Sequence, residues 1–359
     1  MKNIILNAGG TGGHFFSAIA IGEELIKRGI NVHLITDLRC KKYIDQDLVS
    51  LTAHIVDVRI KNSSVLSKIR FLFELLLATS KALLILYKIR PSLMLSFGGY
   101  PTIPGLIAAV ILRIPILIHE QNCYMGKINR IFSKVAKAVA LSYPGTKIEK
   151  KIKNKIIVTG DLIRKNILNL GKKNDFDESI FSIFIFAGSQ GAKIFSSLIP
   201  LAIAELSKLA PDTNINITQQ ALYEDQTRIS EIYYKIPNIS FKLAEFFHDM
   251  PSQYSKAQLA VCRAGASTIA ELTATGLPAI LIPFPYASED HQYFNAKAIE
   301  KLGGGWCFKQ SEITPEILGC KIFQLISDRS ILQQASSKLQ QRKSDGVNIL
   351  ADTVKKIIS

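Results

Sequence analysis

Residues 258–283 read QLAVCRAGASTIAELTATGLPAILIP, and this stretch shows how the chain is built. A short apolar run covers 259–262, the pattern breaks at 263–266, and helix-forming residues then continue to Gly276. A second apolar run follows at 279–282. This order predicts a strand, a turn, a helix and another strand, which is the repeating unit of a parallel α/β protein.

The turn within this stretch carries signals for the start of a helix. Thr268 and Glu271 have the spacing of a capping box, and Gly265 precedes them. The first amides of a helix that begins here would form an anion site. Taken alone, Glu271 could simply close the cap and Gly265 could be an ordinary loop glycine.

Similar glycine turns follow three other apolar runs, at 2–8, 93–97 and 181–186. One such turn is weak evidence, whereas four in an alternating chain predict a ligand cleft that is lined by helix N-termini. The four turns lie at residues 9–14, 98–101, 187–192 and 263–266.

Length and composition indicate a globular protein of two domains. The 359 residues exceed the usual size of one domain, and a hydrophobic content of 48% with 20% charged residues excludes a disordered chain. The five cysteines have no CxxC spacing, which indicates a reducing compartment and argues against disulfides and a structural zinc site. The chain enters a strand pattern directly, so no export signal is predicted.

The positive charge lies almost entirely in the first half of the chain. Residues 1–160 contain 23 Lys and Arg against nine Asp and Glu, a net charge of +14, out of a total of +15. This asymmetry indicates an acidic partner for the first half, either nucleic acid or an anionic membrane surface. If the lysines merely made the surface soluble, they would not leave the second half of the chain with nearly equal numbers of basic and acidic residues.

Strand and helix patterns alternate and predict two parallel α/β domains. The predicted strands of the first domain are 2–7, 32–36, 53–58, 93–96, 116–119, 138–141 and 156–159. Helices are predicted at 17–28, after Pro104 and from Lys127. The predicted domains are 1–163 and 164–340, and a C-terminal helix at 341–359 is expected to cross back to the first domain.

The segment 65–90, VLSKIRFLFELLLATSKALLILYKIR, combines apolar and basic residues. Glu74 and Lys81 interrupt it, so its longest apolar run is shorter than the roughly 18 residues that a membrane span requires. Two interpretations remain, a buried helix or a helix whose apolar face lies on a bilayer. The basic residues that would flank such a face are Lys68, Arg70, Lys81, Lys88 and Arg90.

His14 is the best candidate for a general base, because it follows the first glycine turn and histidine titrates near neutral pH. Glu120 is the reserve candidate, since it lies where a predicted strand ends, on the ligand side of an open α/β sheet. The turn GGTGGH lacks the GxGxxG spacing of a dinucleotide site, although Asp37 stands where a ribose-binding acid belongs. The acids are scattered, so neither a metal ion nor another cofactor is predicted.

Six motifs in order resemble the MurG family of peptidoglycan N-acetylglucosaminyltransferases, and the resemblance spans the whole chain. The motifs are GGTGGH at 9–14, GGYP at 98–101, HEQN at 119–122, GSQGA at 188–192, CRAGA at 262–266 with Glu271, and HQ at 291–292 before NA at 295–296. The resemblance implies the GT-B fold, which has two Rossmann-like α/β domains and a deep interdomain cleft. It also implies inverting transfer of N-acetylglucosamine from UDP-GlcNAc to the muramyl 4-hydroxyl of lipid I, giving lipid II.

The resemblance implies a set of substrate-binding residues when it is carried over motif by motif. They are Thr11, Gly12 and Gly13 near the donor diphosphate or the acceptor, Asn122 and Arg164 around the donor, Ser189 at the phosphates, Phe247 and Arg263 at the uracil, Ala266, Ser267, Thr268, Ile269, Ala270 and Glu271 along the phosphate and ribose, and Gln292 on the sugar. The chain departs from the family pattern at Ser17, Asp161, Leu162, Ala187 and Phe247, none of which removes a catalytic side chain.

These features predict a metal-independent enzyme on the cytoplasmic face of the cell membrane. Helix N-termini and backbone amides, at 189–191 and 266–268, would stabilise the charge on departing UDP. The expected partners are UDP-GlcNAc, lipid I, the anionic membrane surface and cell-wall synthesis proteins, and no nucleic acid. Competing hypotheses are a UDP-GlcNAc epimerase, a glycolipid synthase of the same fold, and a non-catalytic membrane-docked binder of nucleotide sugars, which turnover would distinguish.

Overall fold

The chain forms two compact units in a computed structural model. Residues 1–164 and 344–359 make up the first unit, and residues 165–343 make up the second. The structure describes residues 2–10, 12–41, 44, 51–58, 65–170, 179–188, 193–342 and 345–359. The polar boundary segment 171–178 of the sequence lies outside these ranges.

The first unit is built on a parallel sheet, in agreement with the predicted fold class. Its described strands are β1 (Asn3–Asn7), β2 (Asn31–Thr36), β3 (Thr52–Ile55), β4 (Leu93–Ser96), β5 (Ile116–Glu120), β6 (Ala138–Leu141) and β7 (Ile156–Val158). Their order is β3-β2-β1-β4-β5-β6-β7. The central strands are continuous apolar runs because helices cover both faces of the sheet.

The helices of this unit divide between the two faces of its sheet. Those that the structure describes between β1 and β7 are α1 (Gly12–Lys27), α2 (Val65–Ile89), α3 (Ile103–Ile111) and α4 (Lys127–Phe132). Buried residues of α1 share one cluster with Leu95 and Leu117. Buried residues of α2 and α3 share the opposite cluster with Met94 and Ile118. The alternation of these strand residues therefore sets which helix each face receives.

The second unit repeats this plan. Its described strands are β8 (Ile180–Phe186), β9 (Asn214–Gln220), β10 (Ile239–Ala244), β11 (Leu259–Cys262), β12 (Ala279–Leu281) and β13 (Gly305–Cys307), in the order β10-β9-β8-β11-β12-β13. Its helices are α5 (Lys165–Leu168), α6 (Lys193–Leu209), α7 (Tyr223–Tyr233), α8 (Met250–Lys256), α9 (Ala266–Thr275), α10 (His291–Leu302), α11 (Pro315–Ser327) and α12 (Arg329–Gln341).

The C-terminal helix α13 (Gly346–Ile358) belongs to the first unit and packs on α1. Its residues Val347, Leu350, Ala351 and Val354 are buried in the same cluster as α1. Arg28 at the end of α1 forms an ion pair with Asp352 and donates a hydrogen bond to Asn348. Apolar burial and these polar contacts together fix the last helix to the first unit.

The strand orders place the four glycine turns at two equivalent points. In each sheet the first strand, β1 or β8, pairs on one side with the next strand in the chain and on the other with β4 or β11. This reversal is the topological switch point at which open α/β sheets bind ligands. The turns at Gly9, Gly98, Gly188 and Gly265 each follow one of these four strands.

Three predicted boundaries are wrong for local physical reasons. Helix α1 begins at Gly12 and not at Ser17, because Gly12 and Gly13 of the GGTGGH motif already belong to the helix. Thr268 and Glu271 form no capping box, since α9 begins at Ala266 and both residues lie inside it. The third strand ends at Ile55, and the residues after it stay buried without forming a ladder.

Helix α2 combines both interpretations of the apolar and basic segment. Ala78, Ala82 and Leu86 are buried in the core, whereas large side chains on other sides of the helix are exposed. Among the helices that the structure describes, none has the length and hydropathy needed to cross a membrane. The helix is therefore a core element that also leaves an apolar surface uncovered.

Candidate active site

The first switch point brings two glycine turns together around His14. The Nδ1 atom of His14 lies 3.3 Å from the carbonyl oxygen of Gly9. A side chain at Gly99 would begin 3.3 Å from the imidazole ring, so this glycine leaves the space in which the ring lies. Since a carbonyl oxygen only accepts, we assign the proton to Nδ1, so that Nε2 is the ring nitrogen able to take up a proton.

Glu120 is the centre of a buried hydrogen-bond network at the end of β5. Its Oε1 accepts from the backbone and side-chain amides of Asn122, both at 2.9 Å. Its Oε2 accepts from the backbone amide of Gly126 at 3.0 Å and from Asn129 Nδ2 at 2.8 Å. Burial raises the pKa of Glu120, and these four donors oppose the rise. With 1% of its surface exposed, the carboxylate braces the loop that follows the strand.

Gly98 belongs to the same network because of the space it leaves for Asn129. A Cβ atom at position 98 would lie 2.6 Å from Asn129 Oδ1, and the φ angle of +84° favours glycine in any case. The second glycine turn is therefore shaped by packing against Asn129 as well as by any ligand.

His119 is fully buried beside this site. Its ring lies 5.8 Å from the ring of Phe97, and neither ring nitrogen makes a well-formed hydrogen bond within the described part of the chain. Burial lowers the pKa of His119 to about 3, and the Gly160 backbone offsets only part of this effect because its geometry falls short of a good hydrogen bond. The charge of His14 lowers that pKa further, which places the two histidines close together.

Two residues that the sequence assigns to the donor lie in the first unit. Asn122 donates its side-chain amide to Glu120, so its orientation depends on that carboxylate. Arg164 places its guanidinium 4.4 Å from the centre of the Phe16 ring on α1, two residues beyond His14. The residues Asp161 and Leu162 before it are buried, which fixes the segment that leads to Arg164.

The second switch point presents the N-terminus of α9. Gly265 occupies the N-cap position and makes no side-chain cap, and the first helical hydrogen bond runs from Ile269 N to Gly265 O at 2.9 Å. The amides of Ala266, Ser267 and Thr268 therefore have no partner within the helix. Such amides are the donors that an anion site at a helix N-terminus needs, and the anion site itself stays a prediction.

Arg263 is buried, and its guanidinium joins two loops by hydrogen bonds. Its Nη1 donates to the carbonyl oxygens of Ile282 and Pro283, both at 3.0 Å, and its Nη2 donates to Gln310 at 2.8 Å. Burial lowers the pKa of Arg263 to about 10. The guanidinium is thus engaged by the protein, and the ring of Phe284 lies 5.5 Å from the guanidinium carbon. The assignment of Arg263 to the uracil stays a prediction.

Two family profiles match the chain. The N-terminal domain of glycosyltransferase family 28 matches residues 4–141, and the C-terminal domain of that family matches residues 182–350. The chain belongs to glycosyltransferase family 28. The matched ranges contain the two sheets described above, apart from β7 and the first strand residues of β1 and β8.

Curated relatives of this family cover the chain from end to end. A protein of Rickettsia canadensis named UDP-N-acetylglucosamine--N-acetylmuramyl-(pentapeptide) pyrophosphoryl-undecaprenol N-acetylglucosamine transferase is 50% identical over 360 residues and 100% of both chains. The protein of that name from Rickettsia bellii is 49% identical over 363 residues, again with full coverage.

Solved structures give the same fold. The crystal structure of Acinetobacter baumannii MurG matches with a TM-score of 0.78 and 28% identity, and covers 99% of this chain and 100% of that one. UDP-GlcNAc 2-epimerase from Neisseria meningitidis matches with a TM-score of 0.68 at 16% identity, over 99% and 100% of the two chains, which shows a shared GT-B fold alone.

In this family 28 chain the remaining site residues fall into three groups. Thr11 and Ser189 lie outside the described residues. Ile269 and Ala270 are buried in α9, so they support the helix. Gln292 accepts a hydrogen bond from the Phe284 amide at 3.0 Å, and Phe247 is 8% exposed and packs edge-on against Phe184.

Sequence reasoning missed the polar side chains that hold the glycine turns. Gln220, the last residue of β9, accepts from Ala187 N and donates to the carbonyl oxygens of Gly188 and Glu245, each at 3.1 Å. Asn295 donates to Ala264 O at 3.1 Å. The signal for Gln220 was available, since a polar residue at the carboxyl end of a buried strand needs a partner in the loops above the sheet. Asn295 lies inside α10, where the sequence gives no such signal.

Proposed function

We propose that this family 28 chain is an inverting glycosyltransferase that moves N-acetylglucosamine from UDP-GlcNAc to the 4-hydroxyl of the muramyl sugar of lipid I. The product is lipid II, a precursor of peptidoglycan. The observation that carries the proposal is the equivalent arrangement of the two switch points. The switch point of the first unit places His14, as a base, among glycine turns. The switch point of the second unit presents a helix N-terminus suited to a diphosphate.

In this mechanism His14 acts as the general base. Its Nε2 takes the proton of the acceptor hydroxyl while that oxygen bonds to the anomeric carbon of N-acetylglucosamine. The contact between Nδ1 and Gly9 O holds the tautomer and stabilises the imidazolium that forms. Glu120 supports the loop of Asn122, because its carboxylate accepts four hydrogen bonds from donors of the chain itself.

The departing UDP carries away the electrons of the broken sugar–phosphate bond. We propose that the amides of Ala266, Ser267 and Thr268 at the start of α9 stabilise the negative charge on its diphosphate. Glu271, further along the same helix, would accept hydrogen bonds from the ribose hydroxyls. Gln292 would face the transferred sugar, with its carbonyl held by the Phe284 amide.

Acceptor-dependent release of UDP tests this function against its rivals. Purified protein is incubated with UDP-GlcNAc, with or without a short-chain lipid I analogue, and UDP is measured by a coupled assay. We expect UDP release only when the acceptor is present. Conversion of the sugar without acceptor would indicate an epimerase, and binding without release would indicate a nucleotide-sugar binding protein, so either result refutes the proposal.

We further propose that the apolar surface of α2 places the enzyme on the cytoplasmic face of the membrane. Seven large side chains on this helix are each more than half exposed, namely Ile69, Leu72, Phe73, Leu76, Leu77, Leu84 and Tyr87. Their positions follow the i, i+3, i+4, i+7 pattern of a helix face, which puts them on one side of the helix. Lys81, Lys88 and Arg90 are exposed on the same helix and beyond it, and would contact anionic headgroups.

Vesicle flotation tests this membrane surface. The double variant Leu72→Asn with Leu84→Asn should reduce binding to anionic vesicles about thirtyfold, because each partly inserted side chain contributes about 1 kcal/mol. The matched control is Leu201→Asn with Leu209→Asn, which changes two similarly exposed leucines of the second unit. Equal losses in the two double variants would refute the assignment of this surface.

A further inference from the structure

Glu271 has a buried partner that the sequence motifs do not include. The hydroxyl of Tyr254, on α8, donates a hydrogen bond to Glu271 Oε2 at 2.8 Å. Tyr254 is 1% exposed and Glu271 is 8% exposed. Glu271 lies in the second turn of α9, so this contact and not helix capping fixes its carboxylate.

The ring of Tyr254 is held by the aromatic cluster that also carries Phe247. It packs edge-on against Phe184 and Phe186, with ring centres 5.9 Å apart in both cases. Phe184 in turn packs edge-on against Phe247 at 5.6 Å. The hydroxyl therefore has a fixed position, and the same cluster connects it to the residue assigned to the uracil.

Energetic grounds argue against a purely structural role for the hydrogen bond between Tyr254 and Glu271. A buried tyrosine hydroxyl needs one acceptor, and a neutral amide serves this purpose for Tyr233, whose hydroxyl donates to Gln219 at 2.5 Å. A buried carboxylate is a costly acceptor, because its charge must leave water. An amide would therefore be sufficient for the Tyr254 hydroxyl, and a carboxylate at this position suits a ligand with hydroxyl donors.

We infer that Tyr254 is a positioning residue, whose hydroxyl holds the Glu271 carboxylate in the orientation that accepts hydrogen bonds from the ribose diol of a uridine diphosphate donor. The inference rests on the ribose contact of Glu271 proposed above. A glutamate has three rotatable side-chain bonds, and a hydrogen bond to one carboxylate oxygen removes most of that freedom before the ligand arrives. Ordering of the carboxylate before the ligand arrives lowers the entropic cost of a contact to the ribose.

Two nucleotides that differ only in the ribose hydroxyls separate this role from folding. Dissociation constants of UDP and 2′,3′-dideoxy-UDP are measured by calorimetry for the wild type, Tyr254→Phe and the control Tyr233→Phe. We expect Tyr254→Phe to lower the preference for UDP over dideoxy-UDP about tenfold, the factor that corresponds to roughly 1.4 kcal/mol. The control should keep the wild-type preference. An unfolded fraction would affect both nucleotides equally and leave their ratio unchanged.

The double variant Tyr254→Phe with Glu271→Gln gives a second test. If the tyrosine acts through the glutamate, the double variant should bind UDP no more weakly than Glu271→Gln alone, and additive losses would overturn the inference. A wild type that binds both nucleotides equally would refute the ribose contact itself, and the inference with it. A wild type that prefers UDP, with a Tyr254→Phe variant that keeps this preference, would overturn the inference alone.

In turnover, Tyr254→Phe should raise the KM for UDP-GlcNAc about tenfold and leave kcat within about twofold, because the contact acts on donor binding in ground and transition states alike. A fall in kcat with unchanged KM would contradict the positioning role.

Discussion

The buried histidine of the first unit predicts a specific sensitivity to acid. His119 keeps a neutral ring in the folded protein because burial lowers its pKa from 6.5 to about 3. Below pH 6.5 the unfolded chain therefore takes up a proton that the folded chain does not. The free energy of unfolding therefore carries no penalty from His119 above pH 6.5, and it decreases as the pH falls from 6.5 toward 3. At pH 4.5 the loss is about 3 kcal/mol, at roughly 1.4 kcal/mol per pH unit.

The variant His119→Phe removes this proton uptake and leaves an aromatic ring beside Phe97. It should cost less than about 1.5 kcal/mol at pH 7, because no well-formed hydrogen bond of the imidazole is lost. Between pH 7 and pH 4.5 the free energy of unfolding should fall by about 3 kcal/mol less in the variant than in the wild type. This is a large part of a typical unfolding free energy of about 5–15 kcal/mol.

Urea denaturation followed by circular dichroism at pH 7.0 and 4.5 measures the difference. Hydrogen exchange of β5 assigns it to the first unit, and substitution of the exposed His248 to Phe in the second unit is the control. Burial also lowers the pKa of His33 and His54, but both remain in the variant and cancel in the comparison. Equal losses of stability in the wild type and His119→Phe would refute the reasoning.

Two other predictions concern the residues around this histidine. His14→Ala should lower kcat by on the order of 10²–10⁴ and leave UDP affinity within about twofold, as measured by steady-state kinetics and calorimetry; an unchanged kcat with a raised acceptor KM would make His14 a positioning residue. Glu120→Ala should lower the free energy of unfolding by about 3 kcal/mol or more, because it leaves four buried donors without an acceptor, and a stable variant with strongly reduced kcat would restore Glu120 as a base.

Much of the fold could be predicted from the sequence because its strands are buried on both faces. Continuous apolar runs predicted β4 and β6 at their observed ends, Leu93–Ser96 and Ala138–Leu141. Helix starts were harder, because glycine signals both a turn and the first turn of a helix. Gly12 and Gly13 were assigned to the loop, whereas both lie in α1.

The candidate site was predictable where one turn carries the chemistry and unpredictable where distant segments meet. The position of His14 follows from the turn that precedes it. The roles of Glu120 and Glu271 depend on partners that the motifs do not contain, Asn129 for the first and Tyr254 for the second. No local pattern in a single sequence shows such pairings, since they arise from packing between elements.

The structure of the product tests the central claim most directly. Wild-type protein, UDP-GlcNAc and a lipid I analogue are incubated with EDTA, and the lipid product is purified and examined by mass spectrometry and NMR. The account predicts one added N-acetylhexosamine, joined to the 4-position of the muramyl sugar with inverted, β configuration, and one UDP released for each disaccharide. An α-linked product, or UDP release with free N-acetylglucosamine and an unmodified acceptor, would contradict it.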